Sequence, residues 1–488
     1  MAPEKSGSTG KTGMLSGFGG FALCALCAAS FLSAKPSAKP AEEDPEVRRN
    51  RLSVASNTDF GQIVSGQING SGAAGLDGQF LQRTSVWLTQ ETMVRERLLL
   101  KIGVGGIFWY SLPEAKPDGE AIHKLRTKFG PGISQAQAVY KFGDTGNPFA
   151  SLQMGLFPYK YNQDAQNLGE YLLRSGTYPN IIRTGGWNLL ANASYMVEGL
   201  RLAVPLWGGR FRSDFILPME RDLPPKYDLS PTYVATLAPF KGLEVGGGVT
   251  WNHGISVKPS RTSPHDLGIQ DDGDPGNAFL VPVPNPDTAA YGPGPYIYLR
   301  DTTRFYTFQG IKAMARISID PKAFMREPGP FGPQDLKIYA EAAVLGWKNY
   351  PVLYENRSER MPVMVGFNFP TFGFLDALSF EVEHFGSRVP DNIAQVYTNL
   401  LPIPEFYSKF KSVDTLSHYD PDDPALSEDD WKWSIYARKR VFGGLRIHAQ
   451  AASDHMRPTE YNLQPFWMPV TNRFGKDWYY LVRLEMGI

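Results

Sequence analysis

The sequence predicts an all-β fold, a transmembrane antiparallel up-and-down β-barrel of about sixteen strands, within a range of about fourteen to eighteen. Three observations predict it. Apolar and polar residues alternate with period two along many segments. These segments are joined by alternately short and long connections. Aromatic residues make up 13% of the 488 residues, and the 49 glycines and 39 prolines favour turns over long helices.

The N-terminus has the composition of an export signal. An apolar segment at 18–34 follows Lys5 and Lys11 and ends in small residues. This pattern predicts a cleaved signal peptide, with an uncleaved anchor helix or a lipoprotein as alternatives. The residues that follow are rich in Lys, Ala and Pro and then in charge, which is typical of a flexible segment. The predicted domains are a signal peptide, a flexible periplasmic leader and a barrel, at 1–34, 35–56 and 57–488.

The last segment of the chain shows the alternation most clearly. Every second residue from Trp478 to Ile488 is apolar, and the charges Arg483 and Glu485 lie at intervening positions. Such a strand has one face in a nonpolar medium. Comparable segments predict strands at 59–68, 79–90, 96–110, 135–143, 149–158, 185–197, 200–217, 229–239, 243–256, 302–319, 335–349, 360–370, 374–388, 431–442, 444–456 and 476–488.

The connections between these segments alternate in length. Short turns are predicted near 91–95, 144–148, 198–199, 240–242, 371–373 and 443, and long loops at 111–134, 159–184, 257–301, 389–430 and 457–475. The segment 320–334 is an exception, because the alternation predicts a short turn at this position and the segment is long. Short turns at one end and long loops at the other are typical of outer-membrane barrels. Aromatic residues near strand ends fit interfacial girdles, at Trp109, Tyr110, Trp347, Tyr350, Trp431, Trp433 and Trp478.

Composition and motifs exclude several classes of function. Lys+Arg and Asp+Glu are both 49, which argues against a nucleic-acid binder that relies on bulk charge. Both cysteines lie within the predicted signal peptide, so no thiolate metal site or Cys nucleophile is expected in the barrel. None of the seven histidines lies in a hydrolase or metalloprotease motif. We therefore predict that the protein is not an enzyme.

The chain resembles porin-like outer-membrane proteins of Gram-negative bacteria. The resemblance is one of architecture over nearly the whole predicted barrel. Three stretches, at 157–179, 331–351 and 359–369, look closer to uncharacterised outer-membrane barrels of cellulose-degrading bacteria. The resemblance implies a location in the outer membrane, with outer-membrane lipid and the barrel-assembly machinery as partners.

Charged residues dominate the face that we predict to point into the barrel. The basic ones are Arg83, Arg97, Lys101, Lys141, Arg201, Lys312, Arg316, Lys337, Lys432, Arg438, Arg440, Arg446 and Arg483; the acidic ones are Glu244, Glu341, Glu381, Glu383 and Glu485. A basic wall concentrates anions in a narrow passage. The alternative is that these charges only pair with one another and solvate the lumen. The predicted pore-lining residues are Arg438, Arg440, Arg446, Arg483, Lys312, Arg316, Glu341, Glu381 and Glu383, the first four forming the selective segment if there is one.

Two kinds of loop could add to the function. Loop 159–184 is a candidate for folding inward and narrowing the pore, with Asp164, Glu170 and Arg174 as its charges; the alternative is an ordinary surface loop. If it enters, Glu170 and Arg174 would oppose each other across the constriction. Clustered carboxylates suit Ca²⁺, and acidic clusters occur at 271–274 and 420–430, although such loops are usually only solvated. No other cofactor and no defined metal site are predicted.

The sequence favours a diffusion channel for small hydrophilic solutes with a weak preference for anions. Two alternatives remain open. One is a non-conducting outer-membrane protein whose long loops bind substrate or partner cells. The other is a soluble, secreted, carbohydrate-binding β protein. The solute and the oligomeric state are not specified by the sequence.

Overall fold

A computed structural model describes most of the chain after the predicted export signal. The described residues are 48–66, 78, 80–115, 121–124, 128–183, 195–221, 225–257, 278–291, 296–327, 329–387, 402–403, 429–454 and 475–487. The predicted signal peptide therefore lies outside the described residues. So does most of the predicted leader.

The described residues form nineteen strands. In chain order they are β1 (Arg48–Ser65), β2 (Phe80–Val94), β3 (Leu98–Ala115), β4 (Ala121–Lys124), β5 (Lys128–Gly143), β6 (Pro148–Tyr159), β7 (Tyr195–Leu206), β8 (Phe211–Pro218), β9 (Thr232–Phe240), β10 (Leu243–Asn252), β11 (Ala278–Pro284), β12 (Tyr296–Phe305), β13 (Gly310–Ile319), β14 (Ile338–Val344), β15 (Val363–Asn368), β16 (Ala377–His384), β17 (Trp431–Phe442), β18 (Leu445–Ser453) and β19 (Trp478–Gly487).

Sixteen of these strands form one closed antiparallel barrel, which confirms the predicted fold class. Each barrel strand pairs with the next along the chain, and β1 pairs with β19 to close the ring. The other three are accessory strands: β4 pairs antiparallel with the end of β3, and β11 and β12 form a separate hairpin. Closure gives every barrel strand two neighbours, so the barrel has no free edge.

Connections at the two ends of the barrel differ in length. Short turns join β2 to β3, β5 to β6, β7 to β8, β9 to β10, β15 to β16 and β17 to β18, and the longer 320–337 joins β13 to β14 at the same end. Long loops join strands at the other end, among them 160–194, 253–309 and 385–430. The predicted alternation is therefore present, including its exception.

Several predicted strand boundaries are wrong. The turn predicted at 198–199 lies within β7, and the chain turns at Trp207–Gly209 instead. Gly208 and Gly209 adopt positive φ angles of 66° and 84° there, a conformation that glycine allows without steric cost. The strand predicted at 302–319 is shorter, because 302–305 belong to β12. The barrel also starts earlier than predicted, since β1 begins at Arg48.

The two faces of the strands differ in polarity. Outward residues such as Ile102, Val104, Ile311 and Leu484 are exposed and apolar. Inward positions on the same strands carry polar and charged groups, many of them buried. Two predicted girdle residues differ from expectation. Trp109 is buried and packs under the guanidinium of Arg83, and Tyr350 is buried in an aromatic cluster.

Helical structure is sparse among the described residues. There, an α-helical turn spans Thr288–Tyr291, and 3₁₀ segments span Trp207–Gly209, Pro321–Phe324 and Arg357–Arg360. No helix within the described ranges is long and apolar enough to cross a membrane.

Candidate functional site in the barrel interior

The connection after β6 folds into the barrel. We call residues 160–183 the inward loop. Residues 167–183 are all buried, although a connecting segment usually runs over the protein surface. Its partners are inward side chains of the barrel wall. The inward loop therefore occupies part of the lumen.

Glu381 on β16 holds the first part of the inward loop. Its carboxylate accepts hydrogen bonds from the backbone N–H groups of Gln166, Asn167 and Leu168 at 2.5, 2.9 and 2.9 Å. The Tyr339 hydroxyl donates a further bond at 2.8 Å. Glu381 is only 1% exposed. A buried carboxylate is stable in such a place when donors surround it, and the inward loop supplies most of them.

Two more wall carboxylates hold residues before and after this segment of the loop. Glu341 on β14 accepts from the Tyr161 hydroxyl at 2.7 Å, the Asn162 amide at 2.9 Å and the Tyr171 backbone N–H at 3.0 Å. Glu383 on β16 accepts from the Tyr171 hydroxyl at 2.9 Å. Glu341 is 1% exposed and Glu383 is 0% exposed. We call Glu341, Glu381 and Glu383 the carboxylate seat of the inward loop.

These three carboxylates are predicted pore-lining residues, and the structure places them beneath the inward loop. They do face inward, as the alternation predicts, but the loop covers them. Lys312 on β13 is likewise covered. Its ammonium donates to the Ser175 carbonyl at 2.8 Å, and the residue is only 1% exposed. The sequence pattern shows the direction of a side chain, and it does not show which segment lies over it.

Apolar packing complements these polar contacts. Leu168, Leu172 and Leu173 of the loop are buried in a cluster with wall residues, among them Val197, Ile216, Val234, Met314 and Met364. A wall glycine makes room for it, since a Cβ at Gly248 would lie 2.5 Å from Leu172. A second one, Gly366, makes room for the wall residue Tyr339, because a Cβ there would lie 2.1 Å from the Tyr339 ring. The loop is thus fitted to this side of the barrel.

The predicted constriction charges have different partners from those expected. Glu170 and Arg174 lie on the same loop and pair with each other at 3.6 Å, so they do not oppose each other across an opening. Glu170 also accepts hydrogen bonds from the backbone N–H groups of Tyr161 and Asn162. Asp164 pairs with Lys337 at 2.6 Å and accepts from Ser318 at 2.5 Å. All three charges fix the loop in place.

The predicted basic residues divide into two groups. Arg483 is buried and pairs with Asp59 on β1, which also pairs with Arg83 on β2. Arg316 is buried against Glu244 and Thr236. The accessible group includes Arg438, Arg440 and Arg446, which lie on β17 and β18 close to the short-turn end. Arg446 pairs with Glu485, which also contacts His448. Only three of the four arginines predicted as a selective segment are therefore accessible.

An open cavity of about 430 Å³ lies between the inward loop and the wall formed by β6 to β9. Its charged lining residues are Lys160, Arg201, Arg212 and Asp214. Arg201 pairs with Asp214 at 2.8 Å and stacks on Tyr159, with the guanidinium carbon 5.0 Å from the ring centroid. Arg212 pairs with Glu244 at 2.8 Å, and its side chain is 53% exposed.

Sequence reasoning assigned Arg201 to the inner face but missed Arg212 and Asp214. The misplaced turn explains the omission. In one continuous strand over 200–217, residues 201 and 212 would point to opposite faces. The turn at 207–210 resets the alternation, and Ala203 therefore pairs with Asp214 across the β7–β8 hairpin. A Trp-Gly-Gly turn signal in the sequence was the available cue.

Comparisons with known proteins give structural likeness only. No family model matches the chain, and no curated protein matches it. Solved structures do match. OprB of Pseudomonas putida, determined at high pH, has a TM-score of 0.43 at 10% identity, with 90% of this chain and 94% of that chain covered. A mutant porin of Rh. blastica has a TM-score of 0.40 at 8% identity, with 90% and 100% covered.

A third match is the outer membrane channel DcaP of Acinetobacter baumannii, with a TM-score of 0.39 at 9% identity and coverage of 90% and 97%. The fold assignment rests on the chain's own strand pairing. The likeness to barrels of cellulose-degrading bacteria finds no support in these comparisons.

The acidic loops lie largely outside the described residues. This applies to the whole cluster at 271–274 and to 420–428. Of the second cluster, Asp429 and Asp430 are described. Burial and the neighbouring Asp429 raise the pKa of Asp430 to about 6. Calcium binding by these loops remains a prediction.

Proposed function

We propose that the protein is an outer-membrane diffusion channel for small hydrophilic solutes, with a weak preference for anions. The observation that carries this proposal is the division of polarity across a closed barrel. The outer face is apolar and exposed on strand after strand, whereas the inner face carries buried charged and polar groups beside an apolar patch that the inward loop covers. Outer-membrane lipid and the barrel-assembly machinery are the corresponding partners.

The apolar outer face favours a lipid environment over water. Contiguous exposed apolar surface of this extent is rare on soluble proteins. A strand protein satisfies its backbone groups in lipid only by closing on itself, and the pairing of β1 with β19 achieves this. The same observation disfavours the soluble, carbohydrate-binding alternative.

The cavity beside the inward loop supports passage of solutes and a modest anion preference. It is lined by three basic side chains, Lys160, Arg201 and Arg212, and by one acidic side chain, Asp214. Pairing with Asp214 and Glu244 offsets part of this positive charge. A small excess of positive charge in a narrow, low-dielectric passage raises the local concentration of anions.

Single-channel current in a planar bilayer tests the proposal. We expect discrete, reproducible current steps from the purified protein, and a reversal potential in a KCl gradient that indicates a modest preference for chloride. Stable insertion without conductance would refute the channel. A reversal potential that favours potassium would refute the anion preference alone.

Removing one charge tests where the selectivity arises. We expect Arg212→Gln to shift the reversal potential toward preference for cations. Among the ion-paired side chains that line the cavity, Arg212 is the most exposed. Arg446→Gln is the matched control, since Arg446 is also an inward, partly exposed arginine paired with a glutamate. Equal shifts in both variants would contradict selection at the cavity.

A second candidate function is favoured by the packing of the inward loop. The loop fills part of the lumen with buried apolar residues, among them Leu168, Tyr171 and Leu172. A barrel closed in this way would be a non-conducting surface protein, whose long loops bind substrate or partner cells. Insertion without current, together with cell binding that is lost after protease removal of surface loops, would favour this candidate.

A further inference from the structure

The longest connection at the short-turn end forms a surface that the channel does not require. Residues 320–327 belong to the connection between β13 and β14, and residues 369–376 form the turn between β15 and β16. Asp335 joins the two segments, since it accepts hydrogen bonds from both Lys322 and Thr371. We call these two segments together the foot. Both segments project from the same end of the barrel.

Hydrogen bonds hold the foot in a defined conformation. Asp320 caps the 3₁₀ turn by accepting from the Lys322 backbone N–H at 3.1 Å. Asp335 links the β13–β14 connection to the β15–β16 turn. Its carboxylate accepts hydrogen bonds from the Gly332 backbone N–H at 2.9 Å, the Thr371 hydroxyl at 3.1 Å and the Phe372 backbone N–H at 3.3 Å. Burial raises the pKa of Asp335, but these hydrogen bonds outweigh burial and hold the pKa below its usual value.

The foot also contacts its neighbours on both sides. The backbone N–H of Asp320 donates to the Gly242 carbonyl at 2.8 Å, in the turn between β9 and β10. Lys439 of β17 donates to the Gly373 carbonyl at 2.9 Å, and the Arg440 backbone N–H donates to Asp376 at 2.7 Å. These contacts make the foot a fixed part of the barrel rim.

Aromatic side chains of the foot point away from the protein. Phe324 is 60% exposed, Phe372 is 61% exposed and Phe374 is 79% exposed. Ring contacts join this surface to the rest of the rim: Phe240 meets Phe324 with centroids 6.0 Å apart, and Phe331 meets Phe372 at 5.5 Å. Exposed phenylalanines on a rigid surface are unfavourable in water, so an apolar environment must cover them.

Basic residues surround these rings. Lys241 and Arg326 are exposed on the same rim. The nearby acids are mostly engaged: Asp320 pairs with Lys322 at 2.9 Å, Asp335 is buried and Asp376 accepts from the Arg440 backbone N–H. Glu327 is exposed and offsets one of the cations. The surface that meets solvent is therefore aromatic with a small excess of positive charge.

We propose that the foot is a membrane-interface anchor that binds anionic phospholipid headgroups in the leaflet on the short-turn side. Aromatic side chains favour the level of the headgroups, and cations attract anionic lipid there. The foot is continuous with the apolar outer face, since exposed Phe369 packs on outward Phe367 with ring centroids 4.9 Å apart. This inference rests on the proposed membrane location.

A dye at the foot tests the proposal. The full chain with Cys24→Ser and Cys27→Ser has no other thiol, so Phe374→Cys allows one environment-sensitive fluorophore at the foot. Asp144→Cys places the same fluorophore on an exposed turn at the same end of the barrel. Vesicles of phosphatidylcholine, with or without phosphatidylglycerol, carry a headgroup-level spin label as quencher.

We expect the dye at position 374 to show blue-shifted emission and strong quenching, and the dye at position 144 to show neither. Phosphatidylglycerol should increase the quenching. Arg326→Gln with Lys241→Gln should remove most of this increase, because each surface cation raises affinity for anionic lipid by about fivefold. A gel-mobility assay of barrel insertion, run on every sample, separates failure of the proposed membrane location from failure of the anchor.

Two results from inserted barrels would overturn the proposal. Equal, water-like emission at positions 374 and 144 would exclude contact of the foot with lipid. Quenching at position 374 that is independent of phosphatidylglycerol and of both Lys241 and Arg326 would exclude headgroup recognition. A dye at position 374 that is shielded from water yet not quenched would instead indicate a protein partner.

Discussion

Glu381 illustrates how a single inward residue determines what the lumen contains. It faces inward because it lies on the polar face of β16, and there it accepts three backbone hydrogen bonds from the inward loop. Glu341 and Glu383 act on the next residues of the same loop. At the residue scale, carboxylates on one wall of the barrel therefore fix the position of a loop that lies far from them in the sequence.

Glu381→Gln should destabilise the barrel by about 2–4 kcal/mol, because hydrogen bonds to a buried charge are strong and the amide brings donors toward donors. The loss is measured by urea unfolding in detergent micelles. The matched control is Glu91→Gln, which removes a partly exposed pair with Lys101 and should have little effect. Equal losses in the two variants would contradict the anchoring role. A loosened loop should also increase current fluctuations in the Glu381 variant.

Strand β10 shows how an element is adapted to its neighbour. Its sequence carries three consecutive glycines, Gly246, Gly247 and Gly248. Gly246 and Gly248 face inward, where a Cβ would meet Arg316 and Leu172, and Gly247 faces outward. The glycines weaken the strand locally, and in return the inward loop and Arg316 can approach the backbone.

Gly248→Ala and Gly247→Ala separate these two effects. A Cβ at position 248 would lie 2.5 Å from Leu172 Cδ1 and 2.9 Å from the Tyr233 carbonyl oxygen, whereas one at position 247 would come no closer than 3.5 Å to another atom. We expect Gly248→Ala to destabilise the barrel by about 1–3 kcal/mol through overpacking, with Gly247→Ala neutral or slightly stabilising. Unfolding midpoints in micelles report both. If Gly247→Ala is the more damaging change, the loop does not pack on β10.

Closure of the whole molecule depends on the contact between its first and last strands. Asp59 on β1 pairs with Arg83 on β2 and with Arg483 on β19, each at 2.6 Å. All three residues are buried. The carboxylate therefore links the strand at which the ring closes to both of its neighbours.

Asp59→Asn should destabilise the closed barrel by about 3–5 kcal/mol, since it leaves two buried guanidinium groups without their shared carboxylate. Unfolding followed by the gel-mobility shift of the folded barrel measures this loss. Asp144→Asn, in an exposed turn, is the control and should leave the unfolding midpoint unchanged. A stable Asp59→Asn barrel would show that backbone pairing of β1 with β19 is sufficient for closure.

The sequence by itself determined the fold class, the two faces of the strands and the difference between the barrel ends. These features are local: side chains alternate with period two along any strand, and turn residues mark where a strand ends. It also indicated that Glu341, Glu381, Glu383 and Lys312 face inward.

Tertiary structure decided which inward residues are accessible. The inward loop covers the carboxylate seat through contacts between residues far apart in sequence, such as Leu168 with Glu381, and no local pattern encodes such a contact. The position of the β7–β8 turn decided which side chains line the open cavity, because a misplaced turn reverses the faces of the residues that follow it in the same strand. Direction is thus a local property, whereas accessibility depends on what the rest of the chain places over it.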